Sequence, residues 1–280
     1  IWPLFGLIMH RRVRVPARVN IIGEHTDYAG GLALPFAADY YLELTAKRTD
    51  SDYVGDETVI DLWRCAGGWP AEIKIQSDIP IGKGMSSSAA LCLAIVLAVN
   101  DSIDRLKACK EAQRIEHEIL KTPCGLLDQM AMMFGELNHA SLIDFSQLLV
   151  KPISMPKDWK FKLVDSGINR NLSETKYDQT NQENYVQQEN ERVKKSLTAS
   201  ASELGKLLNQ SHEYLTMIGV STPEVDTLVE QLQNTEGVLG ARMMGGGFGG
   251  MILVLVDSDS VLPNLPLVNS SNGPTIEEIF

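Results

Sequence analysis

The segment that most constrains this chain is Pro80-Ile81-Gly82-Lys83-Gly84-Met85-Ser86-Ser87-Ser88-Ala89-Ala90, which runs on into an apolar stretch from Leu91 to Val99. A helix that is apolar all round has no solvent face, so it must lie inside a core built by other elements. The stretch is well short of the ~20 residues that span a bilayer, so no membrane segment is expected. Serines ahead of an Ala/Leu-rich run are an N-cap signature and set the helix start near Ser86–Ser88. The two glycines let backbone approach a ligand closely, and the helix start adds N–H groups and a positive dipole end. Together they form an anion cradle suited to the phosphates of a nucleotide. The segment is not a Walker A sequence, because G-x-x-x-x-G-K-[ST] is absent. An ordinary capped turn is the plain alternative.

The elements around this helix mix freely along the chain. Arg12–Pro16, Tyr40–Lys47, Ala71–Ser77, Ala140–Asp144, Phe161–Asp165 and Met251–Val256 read as strands. Lys107–Lys121, Gly125–Phe134, Glu183–Leu208 and Pro223–Asn234 read as helices, and the acidic residues 49–61 as a loop or hairpin. Without strict βαβ alternation the pattern favours an α+β fold. A length of 280 residues allows one large or two medium domains. A shift toward Gln, Asn, Glu and Lys after about residue 150 predicts a first domain over residues 1–150 and a second over 151–280.

Charge and cysteines narrow the classes further. The 25 Lys+Arg against 36 Asp+Glu leave a net charge of −11, which counts against nucleic-acid binding. A small anion stays possible, because backbone N–H groups bind phosphate without net positive charge. Cys65, Cys92, Cys109 and Cys124 show no zinc-site spacing and no disulfide framework, so reduced thiols in a cytoplasmic protein are expected. The apolar Ile1–Met9 stretch is followed by Arg11, Arg12 and Arg14, the reverse of a signal peptide's order. The chain opens on Ile1, so it is expected to be a fragment or a trimmed form.

Three further segments are candidates for chemistry. Arg18-Val19-Asn20-Ile21-Ile22-Gly23-Glu24-His25-Thr26-Asp27-Tyr28 packs Arg, Glu, His and Asp into a glycine-hinged loop between two strands. Its carboxylates could accept hydrogen bonds from the hydroxyls of a polyol; a solvated polar loop is the bland alternative. Cys124-Gly125-Leu126-Leu127-Asp128-Gln129 follows Glu116-His117 on a helix. Asp128 there could act as a base or a charge stabiliser, or simply cap a helix. In Gly240-Ala241-Arg242-Met243-Met244-Gly245-Gly246-Gly247-Phe248-Gly249-Gly250 the Gly245-x-Gly247-x-x-Gly250 spacing formally matches a dinucleotide fingerprint, but it leads into the apolar strand MILVLV rather than opening a helix. That context rejects a Rossmann reading. H-E-x-x-H, G-x-S-x-G and protein-kinase signatures are absent.

Taken in order, the four segments resemble the GHMP family of small-molecule kinases, and the first is similar to the signature of its galactokinase branch. The resemblance runs from about residue 12 to residue 256. It implies two α+β domains, a ribosomal S5 domain 2-like one and a ferredoxin-like one, with the active site between them. It implies a sugar kinase that uses ATP and Mg²⁺ to phosphorylate galactose at its anomeric O1. By position, Glu24, His25, Asp27, Gly125 and Tyr177 would bind the sugar, Asp128 would contact the reacting hydroxyl, and Arg18 would stabilise transition-state charge beside it. Gly82, Lys83, Gly84, Met85, Ser86, Ser87 and Ser88 would form the nucleotide loop, and Ser86 or Ser87 with Glu116 would hold Mg²⁺. Another sugar 1-kinase, for N-acetylgalactosamine or L-arabinose, and a non-catalytic sensor of galactose and ATP are the alternatives. A monomer or weak dimer, free of nucleic acid and membrane, is the expected state. Met85 replaces a usual Leu, Met244-Gly245-Gly246 a usual Thr-Gly-Ala, and Thr180-Asn181 a usual basic pair after Tyr177.

Overall fold

The computed structural model describes residues 10–168 and 182–279. The expected site residue Tyr177 lies outside them. Its strands are β1 (His10–Asn20), β2 (Leu32–Ala33), β3 (Pro35–Arg48), β4 (Ala71–Ser77), β5 (His139–Asp144), β6 (Leu149–Ser154), β7 (Lys160–Asp165), β8 (Val238–Met243), β9 (Met251–Val256) and β10 (Thr275–Glu278). Its helices are α1 (Glu57–Cys65), α2 (Ser87–Val99), α3 (Arg105–Ile115), α4 (Leu127–Met133), α5 (Gln182–Ser196), α6 (Ala201–Met217) and α7 (Pro223–Gln233). No helix among the described residues is long and apolar enough to cross a membrane.

The apolar run becomes α2, whose residues from Ala89 to Ala98 are nearly all buried. It packs on the antiparallel sheet β10-β1-β3-β4, beside α3 and α4. β1 supplies alternate valines to this core: Val13, Val15 and Val19 are fully buried. A bulge falls between Pro16 and Ala17 in the β1–β3 ladder, just ahead of the residues that carry Arg18. Proline has no N–H to give to a ladder, and bulges are where strands tolerate it. β2, β5 and β6 form a second antiparallel sheet.

The sheet β7-β9-β8 carries a second apolar cluster with α6 and α7, centred on Val225, Val229, Ile252 and Val254. MILVLV is its central strand, and almost every residue of it is buried because its two faces pack into different clusters, Leu253 and Leu255 in one, Ile252, Val254 and Val256 in the other. The chain then returns to the first sheet, where β10 pairs with β1 from Arg11↔Glu278 to Arg14↔Thr275.

Three local expectations are corrected. Part of residues 49–61 is α1: the Asp56 carboxylate accepts the Thr58 and Val59 N–H groups, and Val59, Leu62 and Trp63 bury one face. Glu183–Leu208 is two helices, divided where Ser200 and Glu203 form a capping box. Lys107–Lys121 is α3 followed by a π turn over Glu116–Leu120.

Candidate active site

The described residues enclose a cavity of about 650 Å³ where the four sequence segments converge. Arg18, Glu24, His25 and Asp27 come from the end of β1 and the loop after it. Gly82, Gly84 and Ser86–Ser88 come from the turn into α2. Glu116, Cys124, Gly125 and Asp128 come from the α3–α4 region, and Gly245 and Gly246 from the loop between β8 and β9. Lys83 and Met85 do not line it. Lys83 Nζ lies 3.0 Å from Asp165 on β7, and Met85 is buried in the core as an anchor for the loop.

Bonds from two of the segments converge on Asp128, in the first turn of α4. Its Oδ1 accepts from Arg18 Nε at 2.7 Å, and its Oδ2 accepts from the Ser86 hydroxyl. Arg18 also donates to the Gly84 carbonyl. One guanidinium therefore joins the signature strand, the glycine loop and the carboxylate. Asp128 makes no cap to α4, so the helix-cap alternative does not describe it. Ser86 precedes α2 with left-handed backbone (φ 62°), and its hydroxyl caps nothing, reaching across to Asp128 instead. A non-glycine residue held in that region costs energy and is commonest where a site needs it.

Glu116 is 2% exposed; its carboxylate accepts from Ser88 Oγ at 2.7 Å and from Gln129 Nε2 at 2.9 Å. Burial, reinforced by the nearby Asp128, pushes its pKa above the ordinary value. The hydroxyl beside Glu116 is thus that of Ser88, while Ser86 serves Asp128. This oxygen set fits a hard cation. Among the described residues no group of three or more His, Cys, Asp and Glu forms a metal cage, and Mg²⁺ commonly takes one or two carboxylates with substrate phosphates instead of such a cage.

Two carboxylates of the signature loop differ sharply. Glu24 Oε1 accepts from the Gly245 N–H at 2.6 Å and from Arg242 Nη2 at 3.2 Å. Burial alone would raise its pKa, but Arg242, Arg18 and the Gly245 N–H outweigh that and hold it at about 2. Asp27 is pushed up to about 6, first by burial and then by Asp128 nearby, against the N–H groups of Leu127 and Tyr28 that it accepts. A Cβ at position 125 would fall 1.7 Å from Asp27 Oδ2, so Gly125 is what lets Asp27 reach the α4 start. His25 is buried with left-handed backbone (φ 55°), its ring 6.1 Å from that of Tyr28.

Several supporting residues have no mark in the sequence. Arg242 on β8 is fully buried and donates to the carbonyls of Ile21, Asn20 and Met243 as well as to Glu24. From α5, the Tyr185 hydroxyl donates to the Glu24 carbonyl at 2.7 Å, and Glu189 accepts the Gly23 N–H at 3.0 Å. The glycine-rich segment over residues 240–250 is the visible signal, and Arg242 stands inside it.

Comparison with known proteins fits this arrangement. Residues 54–136 match the model for the GHMP kinases N terminal domain and residues 193–265 that for the GHMP kinases C terminal domain. Residues 9–48 match the galactokinase galactose-binding signature. The fold and site define a kinase of the GHMP class. The galactokinase of Thermotoga maritima is 32% identical over 87% of this chain and 89% of its own length. That of Pyrococcus furiosus is 29% identical over 88% and 89%. The crystal structure of Lactococcus lactis galactokinase complexed with galactose superposes with a TM-score of 0.83 at 26% identity, covering 95% of both chains. Methanococcus jannaschii mevalonate kinase shares the fold, with a TM-score of 0.73 at 19% identity over 96% of this chain and 100% of its own. The chain belongs to the galactokinase family.

Proposed function

We propose that this kinase transfers the γ-phosphoryl group of ATP to the anomeric O1 of galactose. The observation that carries the reading is Asp128, held by Arg18 and Ser86 where the signature loop meets the glycine turn. Glu24, His25 and Asp27 would accept and sort the sugar hydroxyls, with Gly125 leaving room for Asp27. Gly82, Gly84 and the start of α2 would cradle the phosphates. Phosphoryl transfer of this kind is mostly positioning and electrostatics. Asp128 would orient the attacking hydroxyl and take its proton, and Arg18 would balance the charge that builds on the transferring group. Glu116 and Ser88, and not Ser86 or Ser87, would hold Mg²⁺, which when bound neutralises phosphate charge.

The separate matches over residues 54–136 and 193–265 support a division near residue 150, although the first apolar cluster runs across it through Phe161, Leu204 and Leu255. The four free thiols support a reducing, cytoplasmic setting. A panel of sugars with MgATP tests the substrate. Galactose 1-phosphate as the preferred product supports the reading. Preference for N-acetylgalactosamine or L-arabinose would replace the sugar, and binding of galactose and ATP without product would make the protein a sensor.

A further inference from the structure

The cavity residues of the signature loop are held from outside the cavity by side chains of α5. Tyr185 and Glu189, four residues apart, share a helix face, and Asn190 flanks it on the side next to Glu189. Tyr185 and Glu189 are buried, at 3% and 0% exposure, and none of the three lines the cavity. Glu189 Oε1 accepts from the Gly23 N–H at 3.0 Å and from Ser211 Oγ at 2.7 Å, while Oε2 accepts from Arg192 Nε at 2.6 Å. The Tyr185 hydroxyl donates to the Glu24 carbonyl at 2.7 Å, and Asn190 Oδ1 accepts from the Leu32 N–H at 2.7 Å. These bonds bracket the loop: two hold its ascending limb at positions 23 and 24, and one holds its descending limb at 32. The limbs are already pressed together, since a Cβ on Gly23 would meet Ala33 Cα and the Leu32 carbonyl at 2.5 Å. Gly31 is as close to α5, where a Cβ would lie 2.9 Å from Asn190 Oδ1.

A buried ion pair such as Glu189–Arg192 is a poor way to add stability, because an apolar pair of the same volume does as well. What it supplies is a fixed acceptor for one backbone N–H. We propose that Tyr185, Glu189 and Asn190 are positioning residues: α5 sets the height of the signature loop, so that affinity for the sugar is fixed from a helix that never touches it. The inference deepens the galactose reading and rests on it for its kinetic test. A misplacement of about 1 Å at a site of this kind can cost ~100-fold in rate.

Steady-state kinetics on purified variants give that test. Tyr185→Phe removes one hydrogen bond without a cavity and should raise KM for galactose about fivefold, the equivalent of one ~1 kcal/mol bond. Glu189→Leu should raise it at least ~10-fold, and Glu189→Gln, which keeps an oxygen for Gly23, should recover most of that loss. KM for ATP should stay within about twofold throughout, as should both constants in Glu191→Gln on the exposed side of the helix. Equal movement of both KM values, unchanged sugar KM in folded Tyr185→Phe and Glu189→Leu, or a loss in Glu189→Gln as large as in Glu189→Leu, would overturn the proposal. Amide hydrogen exchange at Gly23 and Leu32 needs no turnover and separates this inference from the galactose reading. Faster exchange at Gly23 in Glu189→Leu and at Leu32 in Asn190→Leu supports it, and unchanged exchange overturns it.

Discussion

From Asn20 to Thr26 the chain is buried, and up to Ala33 it is tied by Arg242, Tyr185, Glu189 and Asn190, whereas between Pro80 and Ser88 only Met85 is buried. Ile81 is 84% exposed, and the second loop is tied mainly at its edges: Arg18 to the Gly84 carbonyl, the Met251 N–H to the Lys83 carbonyl at 2.8 Å, Lys83 to Asp165, and the Ser86 and Ser88 hydroxyls to Asp128 and Glu116. The two loops face one cavity but solve different problems. A loop that must tell one pattern of hydroxyls from another needs its acceptors fixed before the ligand arrives. A loop that wraps phosphates with backbone N–H groups needs room for them to enter and leave, and its glycines supply the conformations.

The sharpest way to break this contrast is at the residue both loops share. Asp128→Asn should lower turnover by about 10³-fold, within the range for loss of a general base, with the thermal midpoint moved by no more than about 4 °C. A coupled ADP-release assay and a thermal melt read the two quantities. Next in size is Arg242→Met, which leaves Glu24 buried without its cation. A loss of about 3–5 kcal/mol is expected in urea unfolding, together with loss of sugar binding.

Paired glycine substitutions compare the loops directly. Gly23→Ala forces a Cβ into backbone and should destabilise by several kcal/mol or prevent folding. Gly82→Ala meets nothing within 4 Å, so only the left-handed backbone (φ 71°) opposes it, and about 1–2 kcal/mol is expected. Similar losses in the two variants would remove the contrast.

The smallest effect is the pH response of the two carboxylates. Asp27 is held near 6, so it becomes protonated as pH falls through that value and accepts fewer hydroxyl bonds. KM for the sugar should rise by up to ~10-fold per pH unit below about 6, and Asp27→Asn should flatten that rise. Glu24, held at about 2, stays ionised throughout and adds no inflection in that range. Its own contribution to stability is complete above the unfolded pKa of about 4.5 and fades as pH falls toward 2.

Apolar pattern made much of this fold legible. The buried helix, the MILVLV strand and β1, β3 and β4 follow from runs and alternations that survive in any environment; β10, in a polar tail, does not. α1 escaped because it is short and its first residues are acidic, so it reads as a loop until Asp56 is seen capping it. β6 escaped because Lys151 and Pro152 interrupt its alternation and much of it is exposed. At the site, glycine and serine spacing exposed the loops, since backbone approach leaves a compositional trace. Arg242 and Glu189 left none: a buried polar side chain spells the same as a solvated one, and their partners lie 221 and 166 residues away. The serine roles could not be divided in advance either. Ser86 and Ser88 stand two residues apart in one run of three serines, and only the turn into α2 sends one to Asp128 and the other to Glu116.

The most direct test is a phosphorus NMR spectrum of the product formed from galactose and MgATP by the wild-type protein and by Asp128→Asn. The account predicts one phosphomonoester coupled to the anomeric proton with the wild type and almost none with the variant. Phosphate on another hydroxyl, no product, or equal product from both proteins would contradict it.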